Sequence, residues 1–163
     1  MPPMLATDDR IAEWEIHPGD ELLCLGFPYG LEANPAGFPI LRSGKIASFP
    51  IIPSKETKSF LYDFEVFWGN SGGPVYFVDR DRHFGGTLHT GRTVYSIIGL
   101  VSQEQYGIDR RVTPLEETRA RKRIEVEETR ERLGLAIVIP SYFIKEAIGL
   151  LEKREQGEGG ANP

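Results

Sequence analysis

Six consecutive residues, Gly69-Asn70-Ser71-Gly72-Gly73-Pro74, hold the densest concentration of possible chemistry in the chain. A Gly-x-Ser-Gly-Gly-Pro string arises by chance in roughly a few of every ten thousand chains of this size, so it calls for a physical reason. Glycines at 69, 72 and 73 permit dihedrals that a side chain would obstruct, and these can turn a pair of backbone N–H groups toward one point. Such a pair can hold a developing oxyanion, while the serine between them presents its hydroxyl to the same carbon. The plainer alternative is a glycine-rich hairpin with an incidental serine.

A serine hydroxyl alone is a poor nucleophile at neutral pH and needs a hydrogen-bonded base, itself oriented by a carboxylate. His17, His83 and His89 are the available imidazoles. His17 precedes Pro18 in a turn, and the other two fall in the polar stretch Arg80–Arg92, which reads as a hairpin excursion, so all three are expected as solvated loop residues. They lack helical i,i+4 spacing and no carboxylate cluster joins them, so no metal site is expected, and the chemistry of the loop calls for no cofactor. Cys24 is the single cysteine, which excludes an intramolecular disulfide, and Leu22, Leu23 and Leu25 around it mark a buried strand position.

The elements that must position the loop are mostly strands. Short β-rich runs at Glu21–Phe27, Arg42–Phe49, Phe60–Phe64, Val75–Val78 and Thr93–Ser102 are separated by turn clusters such as Phe27-Pro28-Tyr29-Gly30 and Asn34-Pro35-Ala36-Gly37. That is the rhythm of an antiparallel barrel or sandwich. Thr113-Pro114-Leu115-Glu116 has the form of a helix start, which predicts a charged, solvated helical insertion over about 113–132. Leu133–Pro140 reads as a last buried strand. The closing helix is expected at Tyr142–Lys153, with Phe143, Ala147, Ile148 and Leu151 on one face lying across the barrel. Residues 1–18 form a lead-in, 19–153 the barrel with its insertion, and 154–163 a Gly-rich flexible tail.

The chain has 163 residues, 40% of them apolar, which suits one domain with a real core. Its formal charge of −5 disfavours a nucleic-acid partner. No apolar run approaches the ~20 residues of a membrane-spanning helix, and Met1-Pro2-Pro3-Met4 lacks the layout of a signal peptide.

Residues 69–74 resemble the nucleophile loop of the trypsin-like (chymotrypsin-fold) serine peptidases, in the Asn form of the bacterial HtrA-like type. The resemblance extends over about residues 5–153. Gly19–Gly30 is similar to the strand running from a Gly-Asp turn into a Gly-x-Pro-x-Gly turn, and Ser43-Gly44-Lys45-Ile46-Ala47-Ser48 to the strand after it. Gly99-Leu100-Val101-Ser102-Gln103-Glu104 is similar to the strand that pairs with substrate backbone, and Gly134–Pro140 to the strand that closes the specificity pocket. The resemblance implies one antiparallel Greek-key β-barrel of the two in that fold. It further implies Ser71 as nucleophile, the amides of Gly69 and Ser71 as oxyanion hole, and Ser102, Gln103 and Glu104 as substrate groove.

Departures from the family pattern matter as much. Asn70 cannot form the ion pair that an Asp makes with a newly cleaved N-terminal amine, so the loop must be ordered by other contacts. Glu104 stands where trypsins carry glycine, which narrows the pocket entrance or disfavours acidic substrates. Asp63 falls where many members have an Asp but reads equally as a turn cap, and Glu65 aligns by spacing with the pocket base. None of the histidines occupies a family position. The resemblance therefore places the triad His and Asp in a barrel ahead of Met1. The expected function is peptide-bond hydrolysis on a polypeptide substrate, with this chain inactive alone, or else protein binding by a non-catalytic module. An uncovered inter-barrel face would drive association with that missing barrel or with itself.

Overall fold

The computed structural model describes residues 4–118 and 121–158, with side chains for 4–110 and 128–155. Six strands close into an antiparallel barrel: β1 (Glu21–Gly26), β2 (Ile40–Ile46), β3 (Phe60–Asp63), β4 (Pro74–Arg80), β7 (Thr93–Thr118) and β8 (Arg121–Pro140). Around the barrel the order is β1-β2-β3-β8-β7-β4, and β4 returns to β1 through Leu23 opposite Tyr76 and Cys24 opposite Val75. The small hairpin of β5 (His83–Phe84) and β6 (Thr87–Leu88) fills the excursion expected between Arg80 and Arg92.

Strand alternation builds the core. Along β1 every second residue, Leu22, Cys24 and Gly26, is buried, and the inward set continues with Tyr62, Val75, Phe77, Ile98, Val101, Ala136 and Val138. Full burial of side chains such as Leu22 and Phe77 stabilises by roughly 1.5–3 kcal/mol each. Tyr62 is the one core residue of this set with a polar tip, and its hydroxyl donates to the Leu22 carbonyl at 2.9 Å. The lead-in also contributes core: α1 (Asp8–Glu13) and the residues beside it bury Ala6, Ile11, Trp14 and Ile16. Backbone bonds from Ala6 to Ile97 and from Ile97 to Met4 tie that segment to β7.

The predicted helical insertion over 113–132 is overturned. β7 and β8 instead continue out of the barrel as a two-stranded ribbon in which Arg110 faces Glu128, Arg111 faces Glu127, Glu116 faces Arg123 and Glu117 faces Lys122. With β3 paired to β8 only as far as Leu135, the ribbon from Tyr106 outward projects roughly 40 Å at strand rise. The reason lies in the charge pattern. Opposite charges spaced for i,i+4 contact on a helix are here in cross-strand register, as in the 2.7 Å pair of Arg110 with Glu128. Pro114, read as a helix start, sits at a register shift between Pro114 and Glu116, where a ribbon edge tolerates a missing donor.

One short helix, α2 (Ser54–Thr57), precedes β3, and the closing helix, α3 (Ser141–Glu158), begins one residue before Tyr142 and continues beyond Lys153. Residues 154–158 are therefore helical rather than tail, and 159–163 lie outside the described residues. Its start is anchored: Ser141 is buried and its hydroxyl donates to the Ala6 carbonyl. Past Phe143, which is half-buried, the expected packed face stands in solvent, with Ala147 and Ile148 exposed and Leu151 60% exposed.

Candidate active site

The Ser71 loop sits between β3 and β4, and a turn at Phe67–Asn70 opens it. The Asn70 amide donates to the Phe67 carbonyl at 3.0 Å, and Gly69 takes φ +91° at the third turn position, as a type II turn requires. The peptide unit joining Trp68 to Gly69 is held in one orientation because the Tyr29 amide donates to the Trp68 carbonyl at 2.9 Å. Carbonyl and amide of a trans peptide point in opposite directions, so pinning that carbonyl directs the Gly69 N–H away from β1 and its following turn. Only glycine fits there, since a side chain at 69 would run into the Phe27 carbonyl, whose own amide donates to the Gly69 carbonyl at 3.0 Å.

Asn70 supplies the ordering that an ion pair cannot. It is 1% exposed, and its Oδ1 accepts the Phe67 amide at 2.9 Å, while its carbonyl accepts the Gly73 amide at 2.9 Å. Gly72, at φ +81°, donates to the Val101 carbonyl at 2.7 Å, and Val101 returns a bond to Gly73 at 3.0 Å. The loop is thus stitched to β1's exit on one side and to β7 on the other. Among the described residues, the amides of Asn70, Gly72 and Gly73 are engaged with backbone carbonyls, whereas no such bond is made by those of Gly69 and Ser71.

Ser71 is exposed on a ridge between two cavities. One, of about 350 Å³, is bounded by Leu25, Phe27, Pro39, Gly69 and Pro74. The other, of about 470 Å³, has aromatic walls from Tyr29, Phe67 and Trp68 and polar ones from Gln103, Glu104 and Arg132. Tyr29 packs on Phe67 at 5.0 Å and edge-on to Trp68 at 6.0 Å, and Arg42 braces the segment beneath by lying over Phe64 and Phe67 and donating to the Glu65 carbonyl. The β4–β7 ladder ends at Pro74 opposite Leu100, so beyond Val101 the edge of β7 turned away from β8 is unpaired where it passes Ser71.

The structure brings Gln103 and Glu104 to the same cavity as Ser71, whereas Ser102 is exposed beside them at a register shift and does not line it. Asp63 and Glu65 are exposed and outside the cavity walls. The histidines are at the other pole. His17 lies before the start of β1, and His83 and His89 follow the end of β4, each roughly 20 Å of strand from the loop. His17 is exposed beside Asp20, and His89 stacks on Phe84 at 3.8 Å. Cys24 is buried beneath the loop, and burial pushes its thiol up to about 11, which makes it a core residue rather than a nucleophile. No group of three or more His, Cys, Asp or Glu suited to a metal occurs among the described residues.

Arg130 and Arg132 are the site residues that sequence reasoning missed, because the segment containing them reads as a helix away from the barrel. The alternation of Val112, Ile124 and Val126 with charged residues was the available signal for strands. No helix of the described residues is long and apolar enough to cross a membrane. The chain matches no family model, no curated protein and no solved structure.

Proposed function

We propose that this chain is the nucleophile-bearing barrel of a trypsin-like serine endopeptidase. One observation carries the proposal: an exposed serine hydroxyl is flanked by two amides without backbone partners among the described residues, and the peptide bearing one of them is pinned by Tyr29. In the reaction, Ser71 Oγ attacks the scissile carbonyl carbon and its proton passes to a base. The carbonyl oxygen, now negative, accepts from the Gly69 and Ser71 amides, and removing one such donor typically costs ~10²–10³ in rate. Collapse of the tetrahedral species expels the amine, which takes the proton, and water then hydrolyses the acyl ester. The open β7 edge at Ser102–Glu104 would add the substrate as a further strand.

The barrel supports the same assignment. The return of β4 to lie beside β1, in the order β4-β1-β2-β3, supports reading the barrel as the Greek-key type of a trypsin-like fold. The base is assigned to a companion barrel, since the three imidazoles of this chain stand at the far pole. Phe27 and Trp68, exposed in the walls of the two cavities that flank Ser71, offer apolar surface of the kind such a companion would cover.

A fluorophosphonate probe tests this. The chain alone is expected to remain unlabelled, and the product of the full reading frame, with any upstream barrel included, is expected to label at Ser71 and lose the label on Ser71→Ala. An unlabelled Ser71 in a folded full-length product would overturn the peptidase assignment in favour of a protein-binding module. Labelling of the chain alone that disappears on replacing one histidine would overturn the assignment of the base.

A further inference from the structure

Glu104 is unusual among the described carboxylates. Its side chain is only 6% exposed, yet it stands in the wall of the Ser71 cavity rather than in the core. Among the described residues Oε1 has no hydrogen-bond partner, and Oε2 is held at 3.5 Å by the Nε of Arg132, whose side chain is 56% exposed. A buried carboxylate oxygen without a donor is costly, and nine-tenths or more of buried polar groups avoid that state. The wall around it is aromatic, from Tyr29, Trp68 and Tyr106, and aromatic faces favour cations.

The cavity also carries Arg130 and Arg132, so both signs of ligand have to be weighed. Both arginines are exposed, where water and salt screen a charge and an ion pair is worth little. Glu104 is shielded, where a matched partner counts for more. The unmet demand in the cavity is therefore for a donor.

We propose that the cavity beside Ser71 receives a guanidinium or ammonium group on Glu104, and that Arg132 occupies the place of that cation until the ligand displaces it. Resting on the peptidase assignment, the ligand is a lysine or arginine side chain of the polypeptide substrate, presented as its backbone pairs with the β7 edge. Arg132 then acts as an internal competitor, lowering affinity for every cationic ligand by the same factor.

The test uses the full chain and small probes, and reads the indole N–H resonance of Trp68 in the cavity wall, assigned with Trp68→Phe. Benzamidinium is expected to shift it saturably, while benzamide and benzoate, of the same size but neutral and anionic, leave it in place. Glu104→Gln should weaken benzamidinium about tenfold or more, the loss of a charge-assisted bond, and Arg132→Gln should tighten it severalfold. Benzoate binding more tightly than benzamidinium, or Glu104→Gln binding within twofold of the parent, would overturn the proposal. Should Glu104→Gln not fold, Arg132→Gln decides: tightening supports the competitor role and unchanged affinity overturns it. Failure here is separable from failure of the peptidase assignment, because cation binding needs no acylation of Ser71. A cation-binding cavity in a full-length protein whose serine never labels would retain Glu104 and discard the peptidase. A labelled serine with no cation preference would do the reverse.

Discussion

The two poles of the barrel treat polar groups in opposite ways. At one, Arg82 is buried and uses its guanidinium fully: Nε donates to the Trp14 carbonyl, Nη2 to the Glu15 carbonyl and to Asp20 at 2.7 Å, and Nη1 to Asp79 at 2.9 Å, with the Phe77 ring 4.7 Å away. At the other, the Gly69 and Ser71 amides and Glu104 Oε1 find no such partners among the described residues around an exposed hydroxyl. A pole that satisfies its donors internally serves the fold. A pole that holds donors and acceptors in fixed directions without using them leaves them free for the ligand proposed above.

The contrast can be broken most forcefully at Arg82. Arg82→Met should cost about 3 kcal/mol in urea unfolding, because it strands Asp20 and two carbonyls, with Asp79's part reduced by its exposure. A loss below about 1 kcal/mol would show that the pole is not the structural anchor described.

Between the poles, Cys24 offers a pH test. Burial raises its thiol from 9.0 to about 11, so the unfolded chain ionises first and the contribution, complete below pH 9, is lost as pH rises to 11. Stability should fall by about 2 kcal/mol across that window, and Cys24→Ala should flatten the decline. Tyr62 is also raised by burial, so its share of the loss begins only above pH 10, and the Cys24→Ala difference between pH 9 and 10 is the cleaner measurement.

At the Ser71 pole, Gly69→Ala should cost about 2 kcal/mol, because φ +91° and the Phe27 carbonyl both oppose a side chain. It should also abolish Ser71 labelling in the full-length product, whereas Arg82→Met, under conditions where it stays folded, should not. The smallest effect separates acceptor from charge at position 70. Asn70→Ala should cost about 1–2 kcal/mol by leaving the Phe67 amide unsatisfied, and Asn70→Asp, which keeps an acceptor oxygen but places a carboxyl at a position 1% exposed, should cost less than Asn70→Ala only at acid pH, where that carboxyl is neutral. Equal losses for the two at that pH would mean that the amide nitrogen, not Oδ1, orders the loop.

Much of this was legible in the sequence because its signals are local. The apolar run Leu22-Leu23-Cys24-Leu25, closed by the turn cluster Phe27-Pro28-Tyr29-Gly30, marks a buried strand without knowledge of its neighbours, and the glycines at 69, 72 and 73 announce a backbone that needs freedom from side chains. The ribbon was misread because a charge pattern does not say whether its partners lie four residues along one helix or across a hairpin. The apolar side of α3 was misread because periodicity reports which residues share a face, not whether anything covers it.

The sequence by itself determined a chain rich in strands, the turn-competent loop around Ser71 and the lack of any histidine near it along the chain. Tertiary structure alone decided which peptide in that loop is pinned, since Tyr29 is nearly forty residues from Trp68. It also decided that Glu104 meets Arg132 across a ribbon and that Arg82 joins α1's exit to β1 and β4. These contacts join residues far apart in the chain, and their existence depends on strand register and barrel closure, which no local run of letters encodes.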